Sequence, residues 1–474
     1  MTRYGSRPPR LTTPLTLALI TACTPLPATS VRALPQPADG TLFSNIRVFD
    51  GDQILGPRDV LVVGPSITRI APAGTLPRGD DTRVVQCEDC TLMPGLIDLH
   101  VHLEVDGAAP WHSHLPQPLD NGRAYLFAGV TTVLSAKGGP GQQSLERARA
   151  KGVPTVPHVY SSGPSLTGTG SHPIPLLRDT VPWPAKELAV RMQPAASSAE
   201  EARAEVRRVA QTEAPPFFKI YFDSFPLGSP HMEVWVMQAA AQEAIAQGMR
   251  PVVHAGTAQD AVDAAEAGTA LLMHAPFGSP LTPRQVERIA ATDVAFLPTL
   301  QAFAWPIRLM QGEISDFERD NVAPAILEAF VQMPDGYAER DGMGQWMQSF
   351  GAVTETLWAN AELLMDAGVP MLVGTDSGVS GVFPGSGLHA ELAALVHLGV
   401  EPIEALRSST GRSAAFLDPS GSFGRVAPGQ RADLLLVQGD PSVDIGAVDE
   451  IRGVWIDGVE LERIGLDGQE IGRP

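Results

Sequence analysis

Two histidines one residue apart, His100 and His102, close the apolar run Leu92-Met93-Pro94-Gly95-Leu96-Ile97-Asp98-Leu99. In a β-strand, residues i and i+2 project from the same face, so both imidazoles would leave one strand end together. Neutral imidazole is the commonest metal ligand and binds near pH 7 at small proton cost. Four more ionisable residues interrupt apolar, strand-like runs further along. Lys219 lies in Phe217-Phe218-Lys219-Ile220-Tyr221-Phe222-Asp223, His254 follows Pro251-Val252-Val253, His274 follows Leu271-Leu272-Met273, and Asp376 follows Leu372-Val373-Gly374-Thr375. Each alone has an ordinary explanation: a hydrogen-bonded core histidine, a helix-capping aspartate, a buried ion-pair lysine. Their recurrence at successive strand ends, in a chain with 11 histidines, favours a shared metal centre. A lysine among such neighbours is desolvated unless it is modified, neutral or paired.

Strands must position these groups, and the middle of the chain supplies them. Apolar runs alternate with amphipathic helical stretches, the pattern of a parallel α/β fold. Strands are expected at 95–102, 131–136, 155–163, 217–223, 251–256, 270–275, 295–300 and 371–378, with helices at 198–212, 232–247 and 258–267 among them. That count fits a (β/α)8 TIM barrel, which gathers functional groups at the C-terminal ends of its strands. The gap at 301–370 is too long for a connection and reads as a helical insertion over the barrel mouth. Short strand-like runs at 42–85 return near 432–458, so both termini would build a discontinuous β-sandwich accessory domain. The resulting division is 1–37 leader and linker, 38–94 first part of the sandwich, 95–420 barrel, and 421–474 second part of the sandwich.

The chain has 474 residues, enough for a barrel plus a second domain. Its formal net charge of −19 gives no attraction to a polyanion, which argues against nucleic-acid binding. Arg3, Arg7 and Arg10 precede a mostly apolar stretch at 11–22, an export signal too short to span a bilayer as a helix. Ile20-Thr21-Ala22-Cys23 resembles a bacterial lipobox, which would lipidate Cys23; cleavage near Ala28 is the rival reading. An exported, periplasmic or membrane-anchored protein is therefore expected, touching the membrane only through that lipid. The other cysteines, Cys87 and Cys90, could close a small disulfide ring in an oxidising compartment or remain two thiols. Zinc would need a second cysteine pair, which the chain lacks.

Several motifs together resemble the amidohydrolase superfamily, most of all its imidazolonepropionase-like branch that includes Xaa-Pro dipeptidases. They are Pro94-Gly95-Leu96-Ile97-Asp98-Leu99-His100-Val101-His102, the lysine strand, the two later histidine strands, Gly374-Thr375-Asp376, Leu388-His389-Ala390-Glu391-Leu392, Glu404-Ala405-Leu406 and the tail Gly421 to Leu434. The resemblance implies a site for two divalent metal ions, usually zinc. His100 and His102 would hold one ion, His254 and His274 the other, and a carboxylated Lys219 would bridge them. Asp376 would bind the first ion and act as catalytic base, taking a proton from the attacking water and passing it to the leaving amine.

The loop Thr167-Gly168-Thr169-Gly170-Ser171-His172 is similar to the family's loop ending Gly-Gly-His, with Ser171 in place of the second glycine. By position, His172 and Tyr221 would approach the substrate. A second His-x-His, His112 and His114, lies among Pro110, Pro116 and Pro118, a loop context without strand alternation. His389 would support the site, His158 could point into the barrel, and His231 and His397 read as surface helix residues. The expected activity is metal-dependent hydrolysis of an amide or peptide bond in a small dipeptide or N-acyl amino acid, by a homo-oligomer. Alternatives are a cyclic amide, a lactone or an aryl-amide toxin at the same site, a deaminase of the same superfamily, and a non-catalytic ligand-binding lipoprotein.

Overall fold

The computed structural model describes residues 28–112, 117–180, 185–226, 228–337, 339 and 343–472. The leader with Cys23, and His114, lie outside them. Seven parallel strands form the barrel wall: Leu96–Val101, Val130–Ser135 and His158–Ser161 in one sheet, and Phe217–Phe222, Arg250–Ala255, Leu271–Leu272 and Ala295–Phe296 in another. Isolated bridges join the two sheets. Leu166 pairs with Ile220 on one side; on the other, Met371 pairs with Phe296 and Ser377 with Val101. Residues 371–377 therefore stand in the eighth strand's place, and the fold is a TIM barrel with an accessory β-sandwich.

Side-chain alternation explains why these strands read as continuous apolar runs. On Phe217–Phe222, Phe218, Ile220 and Phe222 pack outward into the main core, whereas Phe217 joins an inner layer with Val252, Leu271, Met273 and Leu297. Lys219 and Tyr221 share the inward face of Phe217. Flanking helices start where the chain supplies caps. Ser198 accepts the Glu201 amide at the start of Ala199–Thr212, and Thr257 with Asp260 forms a capping box for Ala258–Glu266. Ala202, Val206 and Val209 form the buried stripe of the first of these. The insertion is helical among its described residues: Leu300–Gln311, Asp316–Asn321, Pro324–Val331 and Met343–Asp366.

Strands from both ends of the chain share one sheet. Cys90–Pro94 lies between Thr41–Phe49, to which it is parallel, and Leu434–Gln438, to which it is antiparallel. The Leu434–Val437 run is buried on both faces: Leu434 and Leu436 enter the sandwich core, Leu435 and Val437 the barrel's outer core. The sheet curls. Phe43 and Trp455 sit three strand spacings apart along it, about 14 Å if it were flat, yet their rings meet edge-on at 4.8 Å. Cys87 and Cys90 are joined as a disulfide with Cα atoms 5.5 Å apart.

Two histidines are placed otherwise than expected. His158 points away from the barrel interior, its Nε2 3.3 Å from both Asp433 and Asp457 of the accessory sheet, because those carboxylates offer a partner that the apolar inner layer does not. His231 lies in the loop ahead of helix Val234–Ala246, where Glu233 and not an earlier residue takes the N-cap position, and its ring packs on Phe222 while Nε2 faces Asp260 at 3.2 Å.

Candidate metal centre

The geometry begins with Asp98 in the first barrel strand. Its carboxylate accepts hydrogen bonds from the Thr375 hydroxyl (2.6 Å), the Thr375 amide (3.0 Å) and the His100 amide (3.1 Å), tying the eighth segment to the first strand. Burial pushes its pKa up to about 7, against the pull of those bonds. A register shift between Asp98 and Val101 breaks the alternation there: Leu99 belongs to the inner layer and Val101 to the outer core. That irregularity leaves His100 and His102 together over the mouth, ring centroids 5.4 Å apart. The Asp376 amide donates to the His100 carbonyl at 2.8 Å, and Asp376 has φ +60°, a left-handed conformation uncommon among non-glycine residues. Its Oδ1 stands 3.1 Å from His100 Nε2 and 2.9 Å from His102 Nε2.

Tautomers follow from the second nitrogen of each ring. His100 Nδ1 faces the Met273 carbonyl at 3.2 Å, which can only accept, so Nδ1 carries the hydrogen. The Thr299 hydroxyl donates to the Pro298 carbonyl (2.7 Å) and therefore accepts from His274 Nδ1 (2.6 Å). Both rings thus turn an unprotonated Nε2 to the site, the arrangement that metal-binding histidines use. His274 sits 4.9 Å from His100 and 4.2 Å from His254, centroid to centroid. Burial holds the imidazoles of His100 (to about 4), His254 and His274 below their ordinary pKa, which keeps them neutral near pH 7.

Beside this group lies one that includes Asp223, which reading the sequence missed. Both oxygens of its buried carboxylate are 3.1 Å from His172 Nδ1, and Oδ2 is 3.4 Å from His254 Nε2. Burial alone would raise this carboxyl, but His172 and His254 hold it far below the usual carboxylate range. Asp223 follows the strand that carries Lys219 and Tyr221, two residues beyond Tyr221 on the same inward face. Only that period-two spacing could have revealed it. Lys219 is fully buried between the groups; its Nζ is 2.9 Å from Met273 Sδ and 5.1 Å from the Tyr221 ring centre. Burial lowers its pKa to about 7.

The six residues expected to bind metal are therefore brought together. Buried His100 Nε2, His254 Nε2, His274 Nε2 and Asp376 Oδ1 make no well-directed hydrogen bond among the described residues. Orphaned polar atoms of this kind are costly unless a ligand satisfies them. His100, His102 and Asp376 are spaced for one ion, and His172, Asp223 and His254 also present three ligand atoms within a single ion's reach. Imidazole and carboxylate donors of this kind suit a divalent ion such as zinc. The groups open into a cavity of about 390 Å³ that also exposes Lys137, His172 and Tyr221, with Leu176, Leu177, Phe225 and Phe303 as apolar lining. His389 supports the architecture instead, bridging the Ala128 carbonyl (2.8 Å) and Asp449 (2.7 Å).

Residues 91–461 match the amidohydrolase family, and the chain belongs to it. Imidazolonepropionase of Streptomyces griseus is 32% identical over 108 residues, 22% of this chain and 27% of the relative. The matched stretch spans from 27% to 37% of the length of the curated relatives. A solved Xaa-Pro dipeptidase with methionine bound in its active site superposes with TM-score 0.70 at 22% identity, covering 89% of this chain and 99% of that one. A. niger ochratoxinase does so with TM-score 0.66 at 18% identity, over 93% and 98% respectively. These likenesses establish the fold.

Proposed function

We propose that this protein is a metal-dependent amidohydrolase that cleaves the amide bond of a dipeptide or an N-acyl amino acid at the centre described above. The observation that carries the reading is the convergence of buried, unprotonated imidazole nitrogens with Asp376 at the mouth of the barrel. His100, His102 and Asp376 would hold one divalent ion, zinc by preference, and His254 and His274 a second. Lys219 would bridge them as its carbamate. Only a neutral amine adds carbon dioxide, and burial brings Lys219 to about 7, so neutral amine is available near physiological pH. Carboxylation also turns a buried cation into an anionic ligand.

Bound ions of this kind polarise a carbonyl and lower the pKa of water. The chain's own residues do the rest. Asp376 Oδ1 faces His100 Nε2 and His102 Nε2, with which it would hold the first ion, and this leaves Oδ2, 3.9 Å from His274 Nε2, as the oxygen to accept a proton and return it to the leaving amine. Burial raises the Tyr221 phenol, so it remains protonated and can donate to a substrate carbonyl or carboxylate. His172, held by Asp223 through Nδ1, presents its other ring edge to the same cavity. The export signal would put this activity outside the cytoplasm.

The test is amine release from a panel of dipeptides and N-acyl amino acids by zinc-loaded protein, alongside Asp376→Asn. Turnover of at least one class, with a loss of about 10²–10⁴-fold in the variant, supports the reading. Silence across the panel, or an unimpaired Asp376→Asn, refutes it.

A further inference from the structure

One cation faces the candidate centre with no carboxylate at ion-pair distance among the described residues. Lys137 lies two residues past the second barrel strand, Val130–Ser135, and lines the same cavity as His100, His102, His254 and Asp376. It is one of four lysines in the chain. Its side chain is largely buried, and no carboxylate pairs with its ammonium among the described residues. Glu104 lines the same cavity and its charge favours the ammonium, but its carboxylate is turned to a helix N-terminus. Its Oε1 accepts the Gly141 amide at 2.7 Å, at the N-terminus of helix Pro140–Ala150. That carboxylate fills the space that a Cβ on Gly139 or Gly141 would need, so it is held against the helix.

An ammonium withdrawn from water without a partner is unfavourable, and burial lowers the Lys137 pKa with Glu104 only partly opposing. An anion that arrives with the substrate removes that penalty. One stretch of the lining is apolar: Leu176 and Leu177 from helix Ile174–Thr180, Phe225 after the fourth strand, and Phe303 from the insertion. Phe225 and Phe303 stand edge to face, 6.3 Å between centroids, a surface suited to an aromatic ring.

Resting on the amide-hydrolase reading of the site, we propose that Lys137 binds a free carboxylate of the substrate. The substrate class is then an N-acyl amino acid or dipeptide bearing a free carboxylate and a large apolar side chain. The carboxylate meets Lys137 while the side chain packs on Leu176, Leu177, Phe225 and Phe303. Esters and amides of the same acids, and cyclic amides without a carboxylate, would be poor substrates.

Binding separates this claim from turnover. Calorimetry on the zinc-loaded full chain would compare 3-phenylpropanoate with neutral 3-phenylpropan-1-ol in wild type, Lys137→Met and Lys137→Arg. Attraction between metal and carboxylate is common to all three proteins, so a difference reports on position 137. The expected result is at least tenfold weaker binding of the acid to Lys137→Met, alcohol binding within twofold of wild type, and recovery of most acid affinity in Lys137→Arg. Equal loss for both probes, unchanged acid affinity, or no acid binding to wild type overturns the proposal. If the acid binds through Lys137 but no amide in the panel is cleaved, the carboxylate contact stands and the hydrolase reading falls.

Discussion

The residues that could be found from sequence are those whose polarity contradicts their surroundings. His100, His102, Lys219, His254, His274 and Asp376 each break an apolar run, and the structure brings all six together. Asp223 escaped because it ends its run, where an aspartate before Ser224 looks like a turn residue; only the fold sets its carboxylate between His172 and His254. Asp98 escaped for the opposite reason, since it sits inside the most informative motif and acts on the backbone of Thr375 and not on the cavity. Asp223→Asn should release both imidazoles. The expected outcome is a fall of at least tenfold in kcat/KM and weaker retention of metal during dialysis, with the far-ultraviolet circular dichroism spectrum unchanged. Full activity and full metal content in this variant would make Asp223 a bystander.

At the scale of elements, the long periodic segments were readable and the irregular ones were not. Helices Ala199–Thr212 and Ala258–Glu266 begin at the Ser and Thr caps that their spacing announces. The eighth strand is irregular: backbone bonds from Leu99 to Val373, from Asp376 to His100 and from His102 to Ser377 join it to the first strand, while the Asp98–Thr375 side-chain bonds and the left-handed Asp376 interrupt regular pairing. That irregular join is also closely packed. A Cβ on Gly374 would come within 2.9 Å of both the backbone nitrogen and Cβ of His100 and within 2.7 Å of Leu297. Gly374→Ala should therefore push the first strand and its histidine away from Asp376. Overpacking of this kind costs about 1–3 kcal/mol, read as a lower midpoint in thermal unfolding, and metal affinity should fall with it. A variant with wild-type Tm and metal content would show that the join has slack.

Across the whole molecule, the accessory sheet is fastened beneath the barrel by charge as well as by Leu435 and Val437. His158 and Arg149 from the barrel meet Asp433 and Asp457 from the sheet, and the Asp457 amide donates to Asp433 at 2.9 Å. Burial raises both carboxyls, but His158 and the neighbouring arginines outweigh it and hold them below the ordinary carboxylate value. A carboxylate whose folded pKa is depressed contributes stability that is present above its unfolded pKa and lost as pH falls through the folded value. Tm should thus decline below about pH 4, the usual range for an unfolded aspartate. The double variant Asp433→Asn/Asp457→Asn should show lower Tm at pH 7 and a shallower acid decline; a parallel acid limb in both proteins would remove the clamp from the account. Membership of the β-rich ends in one sheet was readable from their composition. The ion cluster was not, since His158 opens a strand that otherwise looks inward-facing.

The central claim is that Lys219 and its neighbouring imidazoles, with Asp376, hold a pair of divalent ions. Elemental analysis of zinc-loaded, dialysed protein tests it most directly, with wild type measured beside Lys219→Ala. Two ions per chain are expected in wild type and one in the variant, with activity lost and partly restored by short carboxylic acids that replace the missing bridge. Two tightly held ions in Lys219→Ala, or none in wild type, would contradict it.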